Sequence, residues 1–131
     1  HIDSWVEINY VDGYKVSLLS KKNISKNKLF FINLGGYDEN KFEELHESEF
    51  LVGDKKIEIK KRAKETLMKG LDQVHTDDLY DVDDCIEINK VSDYFINLKK
   101  EKNKSESLKF NNGYHPIPKK IIEKYKSLIN N

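Results

Sequence analysis

At 131 residues the chain is about one domain long, and its 37% hydrophobic and 11% aromatic residues exclude a disordered polymer. Charged residues make up 35% and cancel to a formal net charge of zero. The surface is therefore heavily charged, though the charge is not evenly spread along the chain.

Trp5 to Asn9 alternates, with Val6 and Ile8 on one face, and Tyr14, Val16 and Leu18 alternate again. Between them stands Tyr10-Val11-Asp12-Gly13. Asp-Gly between alternating runs predicts a β-hairpin, because glycine accepts the positive φ of the tight turn. Trp5, Tyr10 and Tyr14 on this hairpin are either a recognition surface or the remnant of an interface with an earlier part of the protein. Ser20 to Asn27 is a polar, lysine-rich connector.

Lys28-Leu29-Phe30-Phe31-Ile32-Asn33-Leu34 is apolar on both faces and predicts a central strand. It is the longest strongly apolar run and far too short to cross a membrane. Gly35-Gly36 is expected to end it in a tight turn. A phosphate-loop reading of the two glycines fails, since no Gly-Lys-Ser/Thr follows. Tyr37 to Glu43 reads as a charged loop, and Leu45 to Val52 as a second strand.

Asp54 is the expected N-cap of a helix running to about Gly70, with Gly70 or Asp72 stopping it. Ile59, Ala63, Leu67 and Leu71 recur every four residues and form one buried stripe. Glu58–Arg62, Lys61–Glu65 and Glu65–Lys69 are opposite-charge pairs on the exposed side.

Leu79 to Val82 and Cys85 to Ile88 predict another hairpin closed by Asp83-Asp84, followed by a strand from Tyr94 to Leu98. Cys85 is the one cysteine, which excludes an intrachain disulfide framework and a cysteine-based zinc site. Neighbouring carboxylates disfavour its thiolate, so it reads as packing. A reducing cytoplasm is the expected compartment, with a secreted or translocated fragment as the alternative.

Charge is uneven here. Asp77, Asp78, Asp81, Asp83, Asp84, Glu87 and Asp93 face Lys90 alone, while Lys99 to Lys126 holds nine lysines against Glu101, Glu106 and Glu123. These read as two solvated faces that attract each other. The other reading is a basic tail for nucleic acid or an anionic membrane. Arg62 is the only arginine against 22 lysines, which argues against base or phosphate recognition. Lys99 to Ser107 is expected to be mobile, Tyr114-His115-Pro116 to be a turn, and Lys119 to Ile129 a final helix with Ile121, Ile122, Tyr125, Leu128 and Ile129 on its apolar side.

The opening and the stretch after the long helix invite comparison. His1-Ile2-Asp3-Ser4-Trp5-Val6-Glu7-Ile8 with Asp12-Gly13-Tyr14-Lys15-Val16 parallels His75-Thr76-Asp77-Asp78-Leu79-Tyr80-Asp81-Val82 with Asp84-Cys85-Ile86-Glu87-Ile88. His-x-Asp leads both, which predicts one supersecondary unit written twice. The expected organisation is a hairpin at 1–20 from a truncated first module, a connector at 21–27, a complete module at 28–98 of strand, strand, helix and hairpin, and a lysine-rich tail at 99–131. The part missing from the first copy corresponds to Leu29 through Val74, so the natural chain is expected to start well before His1. Lost partner strands would leave exposed edges, predicting a homodimer or strand exchange.

Lys28 to Gly36, Glu44-Leu45-His46, Phe50-Leu51-Val52-Gly53 and the His-x-Asp segments at His1 and His75 together resemble a bacterial family, the domain of unknown function 1543. The resemblance spans roughly residues 1 to 98. It implies the module and its one- or two-copy layout, and it implies no activity.

Glu44, His46, His75 and Asp77 are the candidate polar cluster. Glu44 and His46 share a strand face, as do His75 and Asp77 if their segment is extended. Converging at one sheet end, His46 and His75 could ligate a divalent metal such as zinc, or the four could act as acid and base. The plainer reading is backbone-bonded histidines and solvated carboxylates. No cofactor is otherwise implied. The expected fold is α+β, mainly antiparallel, with one long packed helix per module and a C-terminal helix. The expected function is a non-enzymatic binding or interaction module, and the alternative is a metal-assisted hydrolase using the His/carboxylate cluster.

Overall fold

A strand apolar on both faces needs cover on both, and Lys28–Tyr37 sits in the middle of its sheet accordingly. The computed structural model describes residues 1–22, 24–67, 81–101 and 106–130. The elements in order are β1 (Ile2–Val6), β2 (Tyr10–Val11), β3 (Tyr14–Leu19), β4 (Lys28–Tyr37), β5 (Glu44–Gly53), α1 (Lys56–Thr66), β6 (Asp81–Ile88), β7 (Lys90–Val91), β8 (Tyr94–Lys100), β9 (Phe110–His115) and α2 (Lys119–Ile129). Every described strand pairing is antiparallel, and the fold is α+β. Two compact units divide the chain, Asn9–Glu106 and a smaller one of His1–Ile8 with Ser107–Asn131.

In the larger unit β4 is the centre of a three-stranded sheet, β5-β4-β6. Phe30, Ile32 and Leu34 on one face join Leu51, Cys85, Ile59, Ala63 and Leu67 in a single core cluster. Ile59 and Ala63 bring α1 down onto that face, and Leu67 caps the helix's end. Gly53 permits the approach: a Cβ there would lie 2.8 Å from Ile59 Cδ1. On the opposite face Phe31 and Phe50 are cross-strand partners, with ring centroids 5.2 Å apart.

A second, four-stranded sheet runs β2-β3-β8-β7. Its two hairpins share a register and a left-handed first turn residue. Asp12 and Gly13 both have positive φ (52° and 75°), as the primed two-residue turn requires. Ser92 has φ 52° in the turn of the β7–β8 hairpin, while Asp93 after it does not have positive φ. Val16 N–H donates to Asn9 O at 2.8 Å, and Ile96 N–H donates to Asn89 O at 3.0 Å. The strands β3 and β8 meet with Ser17 opposite Asn97, whose Nδ2 donates to Ser17 Oγ at 3.3 Å.

In the smaller unit β1 pairs with β9, from Val6↔Phe110 to Ile2↔His115, through one irregularity. Trp5 meets His115 edge-on at 4.5 Å, and His1 meets Tyr114 at 4.6 Å. His115 Nε2 is buried without a hydrogen-bond partner among the described residues. Helix α2 buries none of its residues.

Several expectations are corrected. The Asp12-Gly13 turn is present, but its first arm is only Tyr10–Val11, because Ile2–Val6 is drawn off by β9. Tyr114 and His115 are therefore strand residues and not a turn. Gly35 and Gly36 are not turn glycines. They lie inside β4, buried, opposite His46 and Leu45. Ladder pairing on the β5 side outweighs the local looseness of two glycines. Asp54 is not the N-cap; Lys55 holds that position, with no side-chain hydrogen bond. The helix ends at Thr66, and Gly70, Leu71 and Asp72 lie outside the described residues. Asp83-Asp84 does not close a hairpin. The strand β6 runs unbroken from Asp81 to Ile88 along β4, and that ladder holds extended a dipeptide with turn preference. Leu79 and Tyr80 are outside the described residues.

Candidate functional site

The connector after β3 and the junction between β6 and β7 meet over the end of β4, and a cleft of about 370 Å³ opens there. Its wall is apolar: Leu29, Ile88, Phe95, Ile96 and Leu98. Its rim is polar and cationic, with Lys22, Lys28 and Lys90 against the single carboxylate Glu87, and with Ser25, Asn27 and Asn89 between them. The volume falls in the range of small-molecule sites, and so does the mixture of an apolar wall with a few placed polar groups.

Each side chain is set by its backbone. Leu29 is opposite Ile88 in the β4–β6 ladder, so both line one wall. Lys28 Nζ lies 3.0 Å from Glu87 Oε1. Lys90 is directly opposite Phe95 in the β7–β8 hairpin, and its Nζ stands 5.5 Å from the ring centroid, within cation–π reach. Asn27 Nδ2 donates to the Tyr14 hydroxyl at 2.9 Å, tying the connector to β3.

Burial alone would raise the Glu87 carboxyl. The hydrogen bonds from Lys28 and Asn89, with the charges of Lys28 and Lys56, outweigh it and hold Glu87 below the ordinary glutamate range. The opposite holds at Glu49 on β5. Burial pushes it up against a hydrogen bond from the Phe50 amide, and the Asp12 and Glu47 carboxylates push the same way. A depressed carboxyl stabilises the fold above its unfolded pKa and loses that contribution as pH falls through its folded value; a raised one costs stability at neutral pH and stops doing so on acidification. Glu87→Gln is therefore expected to lower the melting temperature at pH 7 and to leave it unchanged near pH 3. Glu49→Gln is expected to raise it at pH 7 and to converge with the parent in acid. Thermal melts of both variants across about pH 3 to 7, spanning the unperturbed glutamate value of about 4.3, check the signs.

Of the candidate polar cluster, Glu44 and His46 lie together on exposed β5, with His46 Nε2 3.6 Å from Glu44 Oε2. His75 and Asp77 lie outside the described residues. Among the described residues no group of three or more His, Cys, Asp or Glu side chains is placed to hold a metal ion. His1 and Asp3, the other His-x-Asp pair, are 3.1 Å apart. Cys85 is buried in the core. Sequence reasoning missed the cleft. Its residues come from the connector, β4, β6, β7 and β8; the sequence placed Lys28, Leu29, Glu87, Ile88, Phe95, Ile96 and Leu98 on strands but gave no sign that they share a site.

Residues 41–98 match the family described as Domain of Unknown Function (DUF1543). The match covers less than half of the chain and supports the resemblance to that family. The DUF1543 match takes in β5, α1, β6, β7 and most of β8, and so carries the cleft's Glu87-to-Leu98 side but not β4. The crystal structure of a protein Il1583 from Idiomarina loihiensis shares the fold, with a TM-score of 0.56 at 21% identity. The alignment covers 88% of this chain, which spans 64% of the length of that protein. No curated protein matches the chain. Among the described residues no helix is long and apolar enough to cross a membrane.

Proposed function

We propose that the chain is a non-enzymatic binding module whose ligand is a small molecule seated in the Lys22–Lys28–Lys90 cleft. The observation that carries this reading is the cleft itself: apolar strand residues at its back, and cationic and amide side chains at its mouth. The lysine ammonium nearest a carboxylate, Lys28, is in an ion pair with Glu87.

The rival reading, a metal-assisted hydrolase, draws on the register of β4. Gly35 pairs with His46 on one side and Asp81 on the other. The start of β6, downstream of His75 and Asp77, is thus two strands from His46, on the order of 10 Å. One experiment weighs the two. Amide shifts of the labelled protein are mapped first with a library of small-molecule fragments and then with zinc ions. Fragment-induced shifts clustered at Leu29, Glu87 to Lys90 and Phe95 to Leu98 are expected. Fragments that leave this cluster untouched, with zinc shifting Glu44 and His46 at stoichiometric amounts, would sink the binding reading in favour of the hydrolase.

A further inference from the structure

The cleft's charge and its wall together restrict what can fill it. Three lysines line it and one carboxylate does. Lys28 is already satisfied by Glu87, and Glu87 accepts from the Asn89 side chain as well. The Glu87 carboxylate is thus occupied by protein donors, which leaves Lys22 and Lys90 as the lining cations with no carboxylate partner among the described residues. An uncharged ligand would leave both to solvent. A second cation would add to a site already short of negative charge.

Behind the rim the wall is apolar. Leu29 is 2% exposed and Leu98 9% exposed, so their surfaces toward the cleft are part of the protein's inner packing. Phe95 adds a ring face at the side, with Lys90 5.5 Å from its centroid. A group entering here meets Ile88 and Ile96 on adjoining strands, and desolvation of such a wall is worth about 25 cal/mol per Å² of apolar contact. Inorganic phosphate alone would use the rim and leave the wall empty. A bare hydrocarbon would use the wall and leave the rim unpaired.

We infer that the cleft takes an anion carried on a planar apolar body: an aryl phosphate or aryl carboxylate, its head between Lys22 and Lys90 and its ring on Phe95, Ile88 and Leu98. This rests on the binding-module reading above, and narrows it to a ligand class. The cation–π contact of Lys90 keeps its ammonium over the cleft, and the amides of Asn27 and Asn89 supply neutral donors to a head with several acceptor oxygens.

Four probes separate the two claims: 1-naphthyl phosphate, 1-naphthoate, 1-naphthol and inorganic phosphate, each titrated into the full chain and followed by amide shifts and calorimetry. The naphthyl anions are expected to shift Lys90, Phe95 and Ile96, and to bind at least tenfold more tightly than naphthol or phosphate. Their affinity should fall as salt is raised. Lys22→Gln and Lys90→Gln should each weaken the naphthyl anions severalfold, and the double variant should bring them to the level of naphthol; thermal melts confirm that the exposed substitutions leave the fold intact. The relative strength of phosphate and carboxylate heads then names the ligand's source within the class. Naphthol binding as tightly as the anions would overturn the charge requirement while keeping the site. Phosphate binding as tightly as naphthyl phosphate would overturn the apolar body. If no probe moves the cleft residues, both this inference and the binding reading beneath it fall.

Discussion

Ile59→Ala is expected to destabilise the larger unit by about 2–5 kcal/mol, and Ile57→Ala, two residues away on the same helix, by less than about 0.5 kcal/mol. Ile59 is 1% exposed and Ile57 is 75% exposed. The two side chains have the same volume and the same helix propensity, so any difference reports burial alone. Truncating Ile59 removes apolar contacts from the core cluster and opens a cavity against Phe30, Ile32 and Leu51 that the sheet cannot collapse to fill. Ala63 on the next turn is fully buried and already small, so no neighbour on the helix can swing in. Against a total stability of roughly 5–15 kcal/mol for a domain this size, the loss would bring α1 close to melting off its sheet. Urea unfolding of the two variants measures it. Equal midpoints would mean that α1 does not pack through this stripe.

That stripe was legible from sequence because period-four apolar spacing has one physical solution, a helix with one buried face. The central strand was legible for the same kind of reason: a run apolar on both sides must be covered on both. What could not be read was which segment supplies the cover. The strands β1 and β9 lie at opposite ends of the chain and find each other through a ladder no local pattern announces. The stretch Phe110-Asn111-Asn112-Gly113 is so polar that its strand is visible only by its partner. The eye is caught by His-x-Asp at His1 and His75, whereas hydrogen bonding and backbone angle match Asn9 with Asn89 and Asp12 with Ser92. Hydrogen-bonded turns are more informative about equivalent positions than matching charged residues, because solvated side chains carry little structural constraint. The cleft escaped notice because none of its lysines differs from the other lysines until the fold sets three of them around an apolar wall.

Asp12→Ala is expected to cost the larger unit about 3–4 kcal/mol, far more than a turn residue in a surface hairpin usually does, from two separable causes. The first is a latch. Asp12 Oδ2 accepts from the Val52 amide at 2.7 Å and from Arg62 Nη2 at 2.9 Å, while Arg62 Nη1 donates to the Val52 carbonyl at 3.1 Å. Val52 is near the end of β5, whose other side has no strand among the described residues, and is itself 5% exposed. One carboxylate and the chain's only arginine thus satisfy both outward backbone groups of a buried edge residue. Removing the carboxylate strands a buried amide hydrogen, and a lost charged hydrogen bond of this kind costs about 1.5–3 kcal/mol. The second cause is conformational. Asp12 holds φ 52°, where alanine is strained by about 1–2 kcal/mol and aspartate is tolerated. Asp12→Gly separates the two, since glycine keeps the turn and loses the latch; it should recover about 1 kcal/mol relative to alanine and no more. Asp12→Asn keeps an acceptor oxygen and a residue at home in the left-handed region, so it should fall nearest the parent. The edge also predicts a change in association. With Val52 uncapped, β5 presents free donors and acceptors to another strand, and Asp12→Gly should self-associate at concentrations where the parent stays unchanged. Denaturant melts with light scattering on the three variants test this order. If glycine restores full stability, strain at the turn accounts for the whole effect and Val52 does not depend on Asp12.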